Sequence, residues 1–187
     1  GNRALHCVPR AQQEGAPPRG SKARRSVEGS IVPEQDPLLR TVARRVVLAE
    51  IGRDFELTTR VLGTGYSGAV RLARHRATGQ EVAVKTFKKR RLKPHRLKLL
   101  KSEVEVYLRL DHPNVCRLLH AYEGRKEVWL VMELCGCELH HRLCERKAYR
   151  EQDAADVMLQ MLQAVNYLHS HCIVHRDLKL ENMLLTA

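Results

Sequence analysis

The sequence predicts an α+β chain: five strands and one helix in its first half, then a largely helical segment. Three observations carry this. Alternating apolar residues between Phe55 and Leu134 fall into five short runs bounded by turn residues. One intervening stretch, opened by Pro94, repeats its apolar residues at helical spacing. From Glu151 to Ser170 the pattern becomes helical and apolar over most of the circumference.

Taken in order, residues 1–36 hold Gly15-Ala16-Pro17-Pro18-Arg19-Gly20-Ser21, basic clusters and few large apolar side chains, and read as a disordered basic tail. Arg24-Arg25-Ser26-Val27 has the form of a basophilic phosphorylation site. Gly1, Asn2 and Cys7 fit the start of an acylated, membrane-associated protein, but Leu5 stands where that pattern wants Ser or Thr. Residues 37–53 read as a basic amphipathic helical extension. Leu39, Val42, Ala43, Val46 and Val47 share a face, with Arg40, Arg44 and Arg45 mostly off it.

Phe55, Leu57, Thr59 and Val61 alternate as a half-buried strand. Gly63-Thr64-Gly65-Tyr66-Ser67-Gly68 interrupts it, and Val70-Arg71-Leu72 resumes. After the turn Ala77-Thr78-Gly79-Gln80, a third strand runs Glu81 to Lys85. Leu97, Leu100, Val104, Tyr107 and Leu108 line one face of the helix begun at Pro94, which ends before Asp111-His112-Pro113. Strand-like runs from Val115 to Ala121 and Val128 to Leu134 follow. In the long helix, Asp153, Asp156, Gln160, Gln163 and Asn166 form one polar stripe, so the remaining circumference expects burial on several sides.

With 43% hydrophobic residues, 187 residues suffice for a sizeable core. The net charge of +12 is concentrated between Lys85 and Lys101, a block with no acidic residue. Nucleic-acid binding would want aromatic platforms beside that block and only Phe87 lies within it, which favours a solvated face or docking for an acidic partner. Six scattered cysteines point to a reducing, intracellular compartment, cytoplasmic by default. Cys135-x-Cys137 with His140, His141 and Cys144 matches zinc spacing poorly and reads as ordinary thiols.

The chemistry lies in three places. A glycine-rich G-x-G-x-x-G that leads into a strand is a hairpin able to bring backbone close to phosphate oxygens, unlike the strand-to-helix turn of dinucleotide folds. Lys85 ends a strand where its ammonium can neutralise phosphate, and Glu103, mid-helix, is preferred over Glu105 as the carboxylate that orients it. His175-Arg176-Asp177-Leu178-Lys179-Leu180-Glu181-Asn182 closes the set.

In this order the motifs resemble the N-terminal part of a eukaryotic protein kinase, with an antiparallel five-stranded N-lobe at 54–134 and the start of a helical C-lobe at 135–187. The resemblance implies an ATP- and Mg2+-dependent transfer of phosphate to a Ser or Thr hydroxyl of a protein substrate. Gly63, Gly65, Gly68 and Val70 match the phosphate-covering loop, with Leu62 and Ala83 beside the nucleotide. Lys85 matches the phosphate-pairing lysine and Glu103 its partner. Glu133 and Cys135 match the adenine-binding hinge, Met132 guards the back pocket, and Glu138 approaches the ribose. Asp177 matches the residue that accepts or orients the substrate hydroxyl, Lys179 the group that stabilises the transferred phosphoryl, and Asn182 a Mg2+ ligand.

Lysine at 179 resembles the Ser/Thr branch. Leu110-Asp111-His112-Pro113-Asn114, Glu133-Leu134-Cys135 and residues 166–171 resemble calcium-dependent protein kinases, although no D-x-[DN]-x-[DN]-G calcium loop is present. Two departures stand out. The segment before Glu138 is one residue short of the common form with Cys137 for a glycine, and Tyr66-Ser67 shifts the aromatic that usually precedes the third glycine. D-F-G and A-P-E do not follow Asn182 in these 187 residues, so this stretch alone is expected to be a fragment without phosphotransfer. The competing reading is a nucleotide- or partner-binding regulatory module.

Overall fold

The computed structural model describes residues 5–7, 45–65, 68–146 and 148–186. The alternating runs become β3 (Phe55–Gly65), β4 (Gly68–His75), β5 (Glu81–Lys88), β6 (Leu118–Glu123) and β7 (Glu127–Glu133). These five are mutually antiparallel where they pair, in the order β6-β7-β5-β4-β3.

The sheet differs from expectation at one edge. Arg45–Val47, placed by its periodicity in an amphipathic helix, is instead strand β2 and pairs parallel with β6, giving a mixed sheet of six strands. Two consecutive β-branched valines suit a pleated surface, and the open edge of β6 offers backbone partners that a short helix could not use. Residues 37–44 of that expected helix lie outside the described residues. A short 3-10 turn, Ile51–Arg53, then buries Ile51. The Glu50 carboxylate accepts the Arg125 N–H at 3.2 Å, tying this entry segment to the β6–β7 turn.

Helix α1 (Pro94–Tyr107) starts where the sequence places it, because proline at the first helical position costs no hydrogen bond. Period-two alternation then divides the sheet. Ala83 and Phe87 of β5 and Val128, Leu130 and Met132 of β7 pack toward Leu100 and Val104 of α1. Val82, Val84, Trp129 and Val131 face the other way and close over Ile51, Phe55 and Tyr122.

Helices α2 (Leu139–Arg146) and α3 (Glu151–Ser170) follow, and a second core joins them: Leu139, Ala164 and Leu168 pack with Met183 and Leu185 of strand β8 (Met183–Leu185). The sequence reading gives α3 its observed ends but no helix at 139–146. There, ion pairs of Glu145 with His141 and Arg142, four and three residues back, support one.

The orientation of α3 reverses part of the expectation. Gln160 of the polar stripe turns inward and accepts from Asn114 Nδ2 at 3.2 Å, while Met158, Leu159 and Leu162 are more than half exposed. Leu5–Cys7, inside the expected disordered tail, forms strand β1 and pairs antiparallel with β8, whose own edge supplies the backbone partners. The remainder of the tail, including Arg24-Arg25-Ser26 and the acylation-like start, lies outside the described residues. Among the described residues no helix is long and apolar enough to cross a membrane.

The basic block is not a single free face. Lys89 and Lys101 converge on Glu123 at 2.8 and 2.9 Å, fastening the segments either side of α1's start to β6. These hydrogen bonds, Lys89 first, hold the Glu123 carboxyl below the usual carboxylate range. A depressed folded pKa means stability that is full above the unfolded glutamate value, about 4.3, and fades as pH falls through the folded one. Lys101 is half exposed, so solvent screening limits the gain to on the order of 1 kcal/mol. Glu123→Gln is therefore expected to lose about that much at neutral pH and to flatten the acid limb of the stability curve. Urea midpoints at pH 7 and pH 3.5 check this; an equal loss at both would contradict it.

Candidate active site

The α1 face of the sheet and the loops below it enclose a cleft of about 820 Å³. Side chains on one face of β5 recur every second residue, so Ala83, Lys85 and Phe87 all project into this space. Register fixes their neighbours. Lys85 pairs with Val70 of β4 and with Leu130 of β7, and Ala83 pairs with Met132. The Lys85 ammonium sits 5.5 Å from the centroid of the Phe87 ring, a cation–π contact that holds the chain over the cleft.

Leu62, Gly63 and Val70 cover the same cleft from above, and Glu103 enters it from α1. Glu105, two positions on, is exposed. Gly68 has φ +127°, and a Cβ there would stand 2.8 Å from the backbone oxygen of Thr86. Only glycine allows β4 to lie this close to β5 where the hairpin turns. Gly65 is its backbone partner across the turn. Tyr66 and Ser67, the shifted aromatic and its neighbour, lie outside the described residues.

The far wall is Met132, Glu133, Leu134, Cys135 and Glu138. Glu133 is doubly bound to Arg117: its Oε1 accepts the Arg117 N–H at 2.8 Å and its own N–H donates to the Arg117 carbonyl at 3.1 Å. Burial pushes the Tyr107 phenol well above its ordinary value. The Cys116 thiol is raised first by its hydrogen bond with Cys135 and then by burial. Glu138 is exposed at the rim and forms a backbone bridge with Leu184, so the shortened segment before it still reaches the cleft.

Asp177, Lys179 and Asn182 form a second, adjoining cluster. Asn182 Nδ2 donates both to the Asp177 carbonyl at 2.7 Å and to Asp177 Oδ2 at 2.8 Å, and Lys179 Nζ stands 4.0 Å from the same Oδ2. The Asp177 N–H donates to Nδ1 of buried His175 at 3.3 Å. Arg176 between them has φ +66°, a conformation costly for a non-glycine residue and of a kind found where a loop is held for a purpose. Arg176 and Leu184 line the cleft and so connect the cluster to it.

Of the residues selected from sequence, Leu62, Gly63, Val70, Ala83, Lys85, Glu103, Glu133, Cys135 and Glu138 line the cleft, Asp177, Lys179 and Asn182 form the cluster next to it, and Gly65 and Gly68 pair at the hairpin turn without lining it. Phe87, Tyr107, Cys116, Ile173 and Val174 also line the cleft and were not selected. Phe87 carried a sequence signal in its two-residue offset from Lys85, and Tyr107 one in its place on the apolar face of α1.

The model for the protein kinase domain matches residues 57–187. The chain belongs to the protein kinase family. It is 44% identical over 126 residues to calcium/calmodulin-dependent protein kinase type 1 of Macrobrachium nipponense, covering 66% of this chain and 36% of that one. It is 42% identical over 132 residues to the human type IV calcium/calmodulin-dependent kinase, covering 70% and 27%. With calcium-dependent protein kinase 5 of Plasmodium falciparum the identity is 37% over 136 residues, 72% and 24%. Among solved structures, Rad53 1-466 in complex with AMP-PNP is similar with TM-score 0.64 and 33% identity, covering 70% of this chain and 34% of that one. The kinase chain described here therefore spans only about a quarter to a third of the length of these relatives.

Kinases of this family use ATP and Mg2+. The donors fit such a cation: Mg2+ prefers hard oxygen ligands, and Asn182 with Asp177 presents amide and carboxylate oxygens beside the cleft.

Proposed function

We propose that this chain supplies the nucleotide cleft and catalytic loop of an ATP- and Mg2+-dependent protein serine/threonine kinase. The observation that carries the reading is the placement of Lys85 within the cleft together with the hydrogen-bonded Asp177–Asn182 pair next to it. A cleft that merely bound nucleotide would have no use for a carboxylate held beside an amide and an ammonium at its edge. Phosphoryl transfer needs those groups, because its catalysis is positioning and charge neutralisation.

In this reading Leu62, Gly63, Gly65, Gly68, Val70 and Ala83 enclose the nucleotide. Glu133 and Cys135 meet its base, Glu138 its ribose, and Glu103 orients Lys85. Asp177 orients the acceptor hydroxyl, Lys179 steadies the transferred phosphoryl group, and Asn182 holds Mg2+. Lys179, where the Ser/Thr branch carries lysine, favours Ser and Thr over Tyr as acceptors. The exposed Lys88, Arg90, Arg91, Lys93 and Lys98 suit docking to an acidic protein partner, and an intracellular setting fits the scattered cysteines.

The second reading, a binding module without transfer, draws on one fact: D-F-G and A-P-E do not occur in these 187 residues. We accordingly propose that the stretch alone binds nucleotide without turnover. Transfer of label from ATP to mixed Ser, Thr and Tyr peptides tests both points. A version extended through a complete catalytic domain should label Ser and Thr at least about tenfold over Tyr, and the 187-residue chain should stay at background. Labelling confined to Tyr would overturn the acceptor assignment. Transfer by the short chain that vanishes in Asp177→Asn would overturn its proposed inactivity.

A further inference from the structure

The cysteine pattern noted in the sequence is rearranged by the fold. Cys135 is not gathered with Cys137, His140 and Cys144. Among the described residues, the one group of three metal-ligating side chains is Cys116, Glu133 and Cys135, whose ligand atoms all lie within 4.8 Å of one another. We propose that these three side chains form a site for one thiophilic divalent cation of the zinc class in the wall of the cleft.

The placement follows from the sheet. The Arg117 N–H bond to Glu133 Oε1 and the Glu133 N–H bond to the Arg117 carbonyl clamp the segment entering β6 against the end of β7, so Cys116 is brought beside Glu133 and the residue two positions beyond it. The Tyr107 hydroxyl donates to the Cys116 carbonyl and fixes that segment from α1. The Arg117 guanidinium is engaged by Asp111 at 3.3 Å, away from the trio. The site is therefore positioned by hydrogen bonds to the backbone around it and, through the Arg117 N–H, to the Glu133 carboxylate itself, the kind of support metal ligands use.

The chemistry selects the ion. Two sulfurs and one carboxylate oxygen form a soft-to-borderline donor set that suits Zn2+ and disfavours Mg2+ or Ca2+. Tetrahedral Zn–S bonds of about 2.3 Å place two sulfurs about 3.8 Å apart, so the two sulfurs need to approach by no more than about 1 Å. Both thiols release their protons to solvent on binding, and the carboxylate binds as its anion. Cys116 is 2% exposed, yet Cys116, Glu133, Cys135 and Tyr107 all line the cleft, which leaves the fourth tetrahedral position facing open space for water or another donor. The site stands on this geometry alone and does not depend on whether the cleft transfers phosphate.

Cobalt(II) is the probe, because its thiolate charge-transfer absorption reports sulfur ligation directly. The fully reduced, metal-free 187-residue chain should develop that absorption with a one-equivalent endpoint and lose it on adding Zn2+. Cys135→Ser should abolish most of the band and weaken cobalt binding at least about tenfold, and Glu133→Gln should weaken binding while keeping the thiolate band. Cys137→Ser and Cys144→Ser should leave band and affinity unchanged. These variants sit at the cleft wall or on the surface, so the test holds even if replacing buried Cys116 prevents folding; circular dichroism verifies each. Absence of the band in the wild-type chain, its survival in Cys135→Ser, or its loss in Cys137→Ser or Cys144→Ser would overturn the proposal.

Discussion

Replacing Asp177 by Asn in a version carrying a complete catalytic domain is expected to lower kcat by about 10²–10⁴-fold, with the KM for ATP changed less than about threefold. The substitution conserves shape. The backbone N–H at 177 still reaches His175 Nδ1, and Asn182 Nδ2 can still donate to the residue 177 carbonyl. What disappears is the carboxylate that Asn182 and Lys179 flank, and with it the negative oxygen able to accept or orient a substrate hydroxyl. Because Asp177 stands beside the cleft and not among its lining residues, nucleotide affinity should be spared. Steady-state kinetics at varied ATP separates the two parameters. A rate within tenfold of wild type would remove Asp177 from the role assigned to it.

Lys85→Met should reduce kcat/KM by more than about 100-fold, since an ammonium that neutralises phosphate oxygens in the transition state contributes several kcal/mol there. Methionine keeps an unbranched, flexible side chain that can still cover Phe87, and Lys85 is half-buried on a strand held on both sides, so the fold should survive. Thermal unfolding within a few degrees of wild type, together with the kinetic loss, distinguishes a missing charge from a damaged sheet. Wild-type turnover in this variant would show that Lys85 does not serve the phosphates.

Most of the sheet was legible because its strands alternate and its turns contain glycine or proline, and α3 was legible because its apolar residues repeat over twenty positions. Arg45–Val47 was misread because valines spaced four apart look helical until the open edge of β6 is known. Strand β1 has no local signal either, since its partner lies nearly the whole chain away in β8. The exposed Met158, Leu159 and Leu162 show the same limit from the other side: composition said which residues of α3 were apolar, but the packing of Ala164 and Leu168 into the second core shows which way the helix faces.

The site divides along the same line. Glycine spacing, Lys85 and the run from His175 to Asn182 are local patterns set by what phosphate chemistry needs at each position. Cys116 and Glu133 come together only through the pairing of the segment before β6 with the end of β7, a contact across sixteen residues that no periodicity announces, and Tyr107 joins them from α1 through its bond to the Cys116 carbonyl.

The central claim is that Lys85 faces the phosphates of a nucleotide held in this cleft. An acyl-phosphate derivative of ATP tests it in the 187-residue chain: an amine beside the terminal phosphate attacks the mixed anhydride, forms an amide and releases ATP. Peptide mass spectrometry should find the acyl group on Lys85 ahead of the exposed lysines, and excess ATP·Mg2+ should suppress that modification. Lys85 left unmodified, or labelled to the same extent with and without competing ATP, would contradict the account.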